Sequence, residues 1–443
     1  MKGLRKYLSP FTPDQSGAVS VLFHYGGMLI IMDAGGCVGN ICGYDEPRWE
    51  KEKSAIFSAG LRDLDAILGR DELLIKKTKD ALRDVDAKFV GLIGTPVPSV
   101  IATDYRALKR LMEEDYGLPV VSVETNGIDL YDDGISKAFL QLFKSYMPEN
   151  GGSGAKALKT LKSGSSMEAA GLSADEPVED GTNADTDSNV EAPVSAADDT
   201  CSRDNRTGCV GRLHLTNRDA GDVCNRNNRT VGVIGFTPLD TPGSGDYSDM
   251  LAALAEMGIE NPVIYGINDD LAAVGKAARV SRNIVVSPGG IKAARWLRDR
   301  FGVPYEIRYP LPEARLQDFA ARVCSHNPTR VLIIHQQVLA NSLRSVVLDT
   351  DSDSSLESVD VASWFMLNKE ARLDSDVKLN EEDDLMKLVE ARGYDMVIGD
   401  PLLTRALPGW QGTFLSLPHF AISASLYSAD SDAEYWEKAG EVL

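Results

Sequence analysis

No stretch of this 443-residue chain reaches the ~18 consecutive apolar residues needed to cross a bilayer. A secretory leader is not expected either: Met1-Lys2-Gly3-Leu4-Arg5-Lys6-Tyr7 is basic, but Ser9, Pro10 and Pro13 interrupt it before an apolar h-region forms. The two absences make a cytoplasmic location the expectation. There the six cysteines are expected as reduced thiols or metal ligands, not as disulfides. Positive charge is in deficit as well, with 46 Lys and Arg against 66 Asp and Glu and a formal net charge of −20. A surface of that sign repels phosphate backbones and anionic lipid, so nucleic acid and membrane surfaces are not expected partners.

Several catalytic signatures are missing too. There is no Gly-x4-Gly-Lys-Ser/Thr phosphate loop, which argues against ATP hydrolysis by the chain itself. No Gly-x-Gly-x-x-Gly follows a strand-like run, so a dinucleotide is not indicated. Neither a Gly-x-Ser-x-Gly nucleophile elbow nor a His-Glu-x-x-His helix is present.

What is present is a repeated α/β rhythm. The chain is too long for one core. Val19–Tyr25, Met28–Met32, Ser54–Ser58, Phe89–Gly94 and Leu118–Glu124 read as strands. Leu61–Leu68, Asp71–Val85, Asp104–Tyr116 and Gly134–Tyr146 carry helical spacing between or after them. The rhythm restarts near Thr230 and again near Arg330. Strands apolar on both faces and separated by helices indicate parallel sheets. The expected fold class is therefore α/β: three Rossmann-like domains of parallel sheets flanked by helices, at 1–150, 230–328 and 329–443. Between the first two, 151–229 has no Phe, Tyr, Trp or Ile and is expected to be a disordered insert or linker. Its Cys201, Cys209, Cys224 and His214 match no zinc spacing.

Open parallel sheets bind ligands beyond the carboxyl ends of their strands. One such end runs straight into a glycine-rich turn with two thiols, Asp33-Ala34-Gly35-Gly36-Cys37-Val38-Gly39-Asn40-Ile41-Cys42-Gly43. Glycines there allow close backbone approach and leave amide N–H groups free for sulfide or thiolate. Thiolates are the usual ligands of iron–sulfur clusters, which commonly need four. Cys37 and Cys42 supply two, so a cluster here is expected to be shared across a subunit interface or completed by other ligands. The alternative is a tight strand-to-helix turn with both cysteines packed inside.

The Gly36-Cys37 turn after its strand resembles the N-terminal cluster-binding segment of the nitrogenase component 1 family. Further matches are Ser54-Ala55-Ile56-Phe57-Ser58-Ala59-Gly60-Leu61, Val90-Gly91-Leu92-Ile93-Gly94-Thr95-Pro96 and Val120-Val121-Ser122-Val123-Glu124-Thr125-Asn126-Gly127, with looser ones at Val231–Thr237, Asn283–Tyr305 and Asp395–Asp400. The resemblance implies a dimer or tetramer with a homologous component 1 subunit and reduction by a separate ATP-dependent iron–sulfur reductase. It also implies cluster binding at Gly36, Cys37, Gly39, Cys42, Thr95 and Thr125, with Cys37 and Cys42 as metal ligands.

The departures point to a smaller group than the family's eight-iron cluster. Where the family has its second and third cluster cysteines, this chain has Thr95 and Thr125. A [4Fe–4S] cluster shared by two subunits is the more economical expectation. A second metallocofactor or a tetrapyrrole is a further possibility of the resemblance, but the cysteine for it is replaced by Ser287. His335 and His419, each after a strand-like run, are the candidate catalytic residues, with helix capping or a satisfied core position as the alternative. His24 reads as structural and Cys324 as a packed helix thiol. Tyr44, Asp45, Glu46, Arg48 and Trp49 form either a rim for docking the reductase or a surface loop with Trp49 folded inward. The implied activity is that of a nitrogenase-like oxidoreductase subunit reducing a substrate other than dinitrogen. The alternatives are a metallocofactor assembly scaffold or a non-catalytic partner subunit.

Overall fold

The structure, a computed structural model, describes residues 5–51, 54–147, 230–350 and 356–443. The insert at 151–229, with its three cysteines and His214, lies outside the described residues.

Three all-parallel sheets follow one another along the chain. The first contains β1 (Met28–Ile31), β2 (Ala55–Ser58), β3 (Val90–Ile93) and β4 (Val120–Val123) in the order β2-β1-β3-β4. The second has β5 (Val231–Ile234), β6 (Pro262–Ile264), β7 (Arg282–Val285) and β8 (Tyr305–Ile307) in the same pattern, β6-β5-β7-β8. The third runs β11-β10-β9-β12-β13, built from β9 (Arg330–Ile334), β10 (Ser358–Ser363), β11 (Val377–Lys378), β12 (Met396–Gly399) and β13 (Thr413–Ser416). Central strands such as Met28-Leu29-Ile30-Ile31 are buried at every residue because helices cover both faces of the sheet.

One expected strand is a helix. Val19–Tyr25 belongs to the helix Asp14–Leu22 and a 3-10 turn, Phe23–Tyr25. Every residue of Asp14–Leu22 is buried. A helix enclosed on all sides has no polar face to give a 3.6-residue period, so its apolar run imitates a strand. His24 consequently sits on an exposed turn rather than inside a strand.

The enclosure is made possible by two glycines. A Cβ on Gly17 would lie 1.9 Å from the Tyr131 carbonyl oxygen, and one on Gly134 would lie 1.8 Å from the Asp14 carbonyl oxygen. The helix Asp14–Leu22 therefore meets the helix Tyr131–Tyr146 backbone to backbone. The second domain joins through the helix Pro288–Phe301, where a Cβ on Gly289 would come within 2.7 Å of Ile135. The third joins through the N-terminal segment. Phe11 packs on Trp364 and Phe365 at 5.5 and 5.6 Å between ring centroids, and the Glu382 carboxylate accepts the backbone N–H groups of Lys6, Tyr7 and Leu8. No helix among the described residues is long and apolar enough to cross a membrane.

Gly134→Ala is expected to destabilise the protein by about 1–3 kcal/mol, because neither backbone has room to retreat. Gly39→Ala, whose Cβ meets nothing within 4 Å, is the control and should be neutral or stabilising by up to about 1 kcal/mol. Urea unfolding of the two variants measures the contrast; equal midpoints would show that the helices can part.

Candidate functional site

Each sheet has its topological switch point beside its first strand, where the chain crosses from one side to the other: β1/β3, β5/β7 and β9/β12. Loops leaving a sheet at such a point diverge and open a crevice. The first crevice carries Cys37 after β1 and Thr95 after β3. The second carries Gly235–Asp240 after β5 and Ser287 after β7. The third carries His335 after β9 and Asp400 after β12. Nearly all residues singled out in the sequence thus fall at switch points, but they form two separate groups.

The first group surrounds Cys37. Gly35, at φ +116°, makes the turn, and Gly36–Asn40 forms a short helix followed by a π-helical turn, Ile41–Asp45. The buried Asp33 carboxylate lies beneath the turn. It accepts the Val38 N–H at 2.9 Å and the Ser58 hydroxyl at 2.6 Å. That Val38 amide is therefore committed to Asp33 and not free for sulfide. Cys37 and Cys42 are both half-buried and outside any disulfide. Burial first, then the charges of Asp33 and Asp45, push the Cys37 thiol up, while a hydrogen bond with Thr95 opposes the shift.

Thr95 and Thr125 are internally satisfied. The Thr95 hydroxyl donates to the Met32 carbonyl and the Thr125 hydroxyl to the Gly94 carbonyl, each at 2.7 Å, and both residues are buried. The outer side of the turn is different. Added Cβ atoms at Gly36, Gly39 and Gly43 would meet nothing within 4 Å, so this chain's own packing does not require their small size. Of the neighbouring loop, Tyr44 is 69% exposed. Glu46 and Arg48 are buried and paired at 2.7 Å, and Trp49 packs on Phe23 at 6.4 Å. The loop is therefore mostly folded inward, and only part of the expected rim is available for docking.

The second group lies where the three domains converge. His419 is buried between Phe365 (centroids 4.8 Å apart, stacked) and His335 (4.4 Å). Its backbone N–H is held by Asp400, which also accepts the Ser423 hydroxyl. His335 Nε2 lies 3.2 Å from the Pro418 carbonyl oxygen. Tyr131, from the first domain, donates its hydroxyl to Asp240 at 3.2 Å and lies 3.4 Å from His419 Nε2. Burial lowers His335 to about 4 and takes His419 well below the usual histidine range, with His335 adding to the effect. Burial likewise raises Asp240 well above, and Asp400 to about 6. Tyr131, Asp240, Asp400 and Phe365 were not picked out from the sequence. The available signal was a polar residue directly after an apolar strand, as at Gly399-Asp400.

A family model described as nitrogenase component 1 type oxidoreductase matches residues 14–324. The chain belongs to that family. Among solved structures, one titled "Nitrogenase Cp1 at pH 6.5" aligns with a TM-score of 0.61 at 9% identity, over 99% of this chain and 92% of that one. A second, "Nitrogenase Cp1 at pH 5", aligns with a TM-score of 0.56 at 11% identity, over 99% and 89%. These likenesses are likenesses of fold. A comparison with curated proteins finds no match.

At the first switch point the donor set amounts to two thiols, Cys37 and Cys42. Among the described residues no three His, Cys, Asp or Glu side chains converge as a metal-binding group. The thiol environment is itself testable. In a Cys42→Ser background, alkylation of Cys37 by iodoacetamide should be slow at pH 7 and rise only as pH passes the ordinary thiol range. Asp45→Asn removes a negative neighbour, lowers the thiol pKa, and should speed alkylation at pH 8. An unchanged rate in Asp45→Asn would remove Asp45 from the thiol's environment.

Proposed function

We propose that this chain is a component 1-type oxidoreductase subunit that contributes Cys37, with Cys42, to a [4Fe–4S] cluster shared with a homologous subunit. The reading rests on one observation: a half-buried thiol at the switch point of the first sheet, beside an outer surface left open by Gly36, Gly39 and Gly43, and it is supported by the resemblance of the Gly36-Cys37 turn to the family's cluster-binding segment. When bound, such a cluster supplies low-potential one-electron transfer. An ATP-dependent iron–sulfur reductase is the proposed electron source, and a substrate other than dinitrogen the acceptor.

The protein's own contribution is placement and electrostatics. Gly35 sets the turn, Asp33 accepts the Val38 N–H of the short helix, and Thr95, whose own proton goes to the Met32 carbonyl, hydrogen-bonds with the thiol. Two carboxylates nearby raise the cost of forming a thiolate, and a bound cation would offset it. The assembly is proposed to be cytoplasmic.

One observation favours a second reading, a non-catalytic partner subunit. The convergence of the three domains is occupied by Tyr131, Phe365, His335 and His419, so this chain's share of the work would lie at its surface.

The test is anaerobic reconstitution of the full chain, alone and with its homologous subunit, followed by iron analysis and EPR of the reduced protein. The expected result is about four irons per pair of subunits, lost in Cys37→Ala and reduced in Cys42→Ala. Iron absent from the wild type, or unchanged in Cys37→Ala, would sink the proposal. Reductase-dependent turnover by the homologous subunit alone would select the second reading.

A further inference from the structure

The family resemblance implies a second metallocofactor or a tetrapyrrole between the domains, held near Ser287 and His419. The residues actually there do not fit that role. Ser287 donates its hydroxyl to the Gly235 carbonyl at 2.8 Å, and a Cβ on Gly235 would lie 2.6 Å from the Ser287 Oγ. The Gln336 side chain reaches from the third domain to the Val286 carbonyl of the second at 3.0 Å, while its own oxygen accepts the Val338 N–H. His419 has one ring face on Phe365, His335 against it at 4.4 Å, and Tyr131 edge-on at 5.7 Å. Every one of these side chains is buried. The polar atoms are mostly spent on other protein atoms, and the faces a flat or globular cofactor would use are already covered by rings.

We infer that the centre where the three domains converge is a lock made of side chains, not a cofactor chamber. Each domain supplies a part: Tyr131 the first, Asp240 and Ser287 the second, His335, Gln336, Phe365 and His419 the third. Buried hydrogen bonds between rigid elements, rather than apolar contact alone, set the register of one domain against another. Such bonds are costly to leave unmade, which is what makes them specific. On this view His335 and His419 are positioning residues, replacing their expected role as catalytic ones. The Nδ1 atoms of both imidazoles are without a hydrogen-bond partner. They are the atoms a metal would reach if the centre opened, and so they are the atoms to probe.

The inference does not depend on the cluster proposed at Cys37, and the experiment separates the two. The full-length chain and the variants His335→Gln, His419→Gln and Tyr131→Phe are titrated with Co²⁺ and, separately, with haemin under anaerobic conditions, in a Cys37→Ser background that removes the other site. Bound metal and haemin absorbance should be the same with and without the histidines. Tyr131→Phe should lower the melting temperature by about 2 °C or more. Its effect should fail to add to that of His419→Gln, because the two side chains meet. Loss of Co²⁺ or haemin on His419→Gln would overturn the inference, as would melting temperatures equal to that of the Cys37→Ser parent. Should His419→Gln not fold, Tyr131→Phe keeps the ring, removes only the hydroxyl, and carries the same readout with His335→Gln.

Discussion

Two glycines let two backbones touch, and the arrangement of all three domains rests on that contact. With Gly17 against the Tyr131 carbonyl and Gly134 against the Asp14 carbonyl, the first turn of the helix Tyr131–Tyr146 cannot shift without breaking the seat of the helix Asp14–Leu22. Tyr131 begins that turn and projects into the centre, where Asp240 and His419 meet its hydroxyl. Asp132, the next residue, accepts the Met366 N–H from the third domain. A close-packed interior transmits such a constraint because it has few voids to absorb a displacement. The precision at the centre is thus inherited from a contact with no polar side chain in it.

The three switch points are equivalent in topology and different in use. Those of the second and third sheets meet each other, and their loops fill the space between them with Ser287, Gln336 and His335, joined by His419 from the loop after β13. That of the first sheet faces outward and keeps an open side. A single architectural device thus gives this component 1-type chain an internal fastening and an external thiol. Their chemical environments differ accordingly: the centre holds its histidines neutral by burial, whereas Cys37 retains part of its exposure beside two carboxylates.

The α/β class and most strands were legible because their residues alternate between doubly buried apolar runs and amphipathic helices, a pattern with two distinct periods. The helix Asp14–Leu22 was not, since enclosure on every side erased its period. The Cys37 turn could be located from glycines, thiols and a preceding strand, all of them local. The Asp33 cap could not be read, because the carboxylate and the Val38 amide it binds are joined by a turn whose geometry the composition does not state. The centre was legible only in fragments. His335 and His419 are 84 residues apart and Tyr131 is farther still, and nothing local in the sequence records that they share a site. Asp240 and Phe365 carried no motif at all, and their roles come from the way the domains dock.

Thr95 and Thr125 each hold a buried part of the main chain in place through a hydroxyl. Each hydroxyl satisfies a buried main-chain carbonyl, of Met32 and of Gly94. A thiol is a weak donor and would leave that carbonyl poorly paired. Cysteine at either position would therefore weaken the folded chain. On structural grounds alone, the two hydroxyls favour threonine over cysteine at both places.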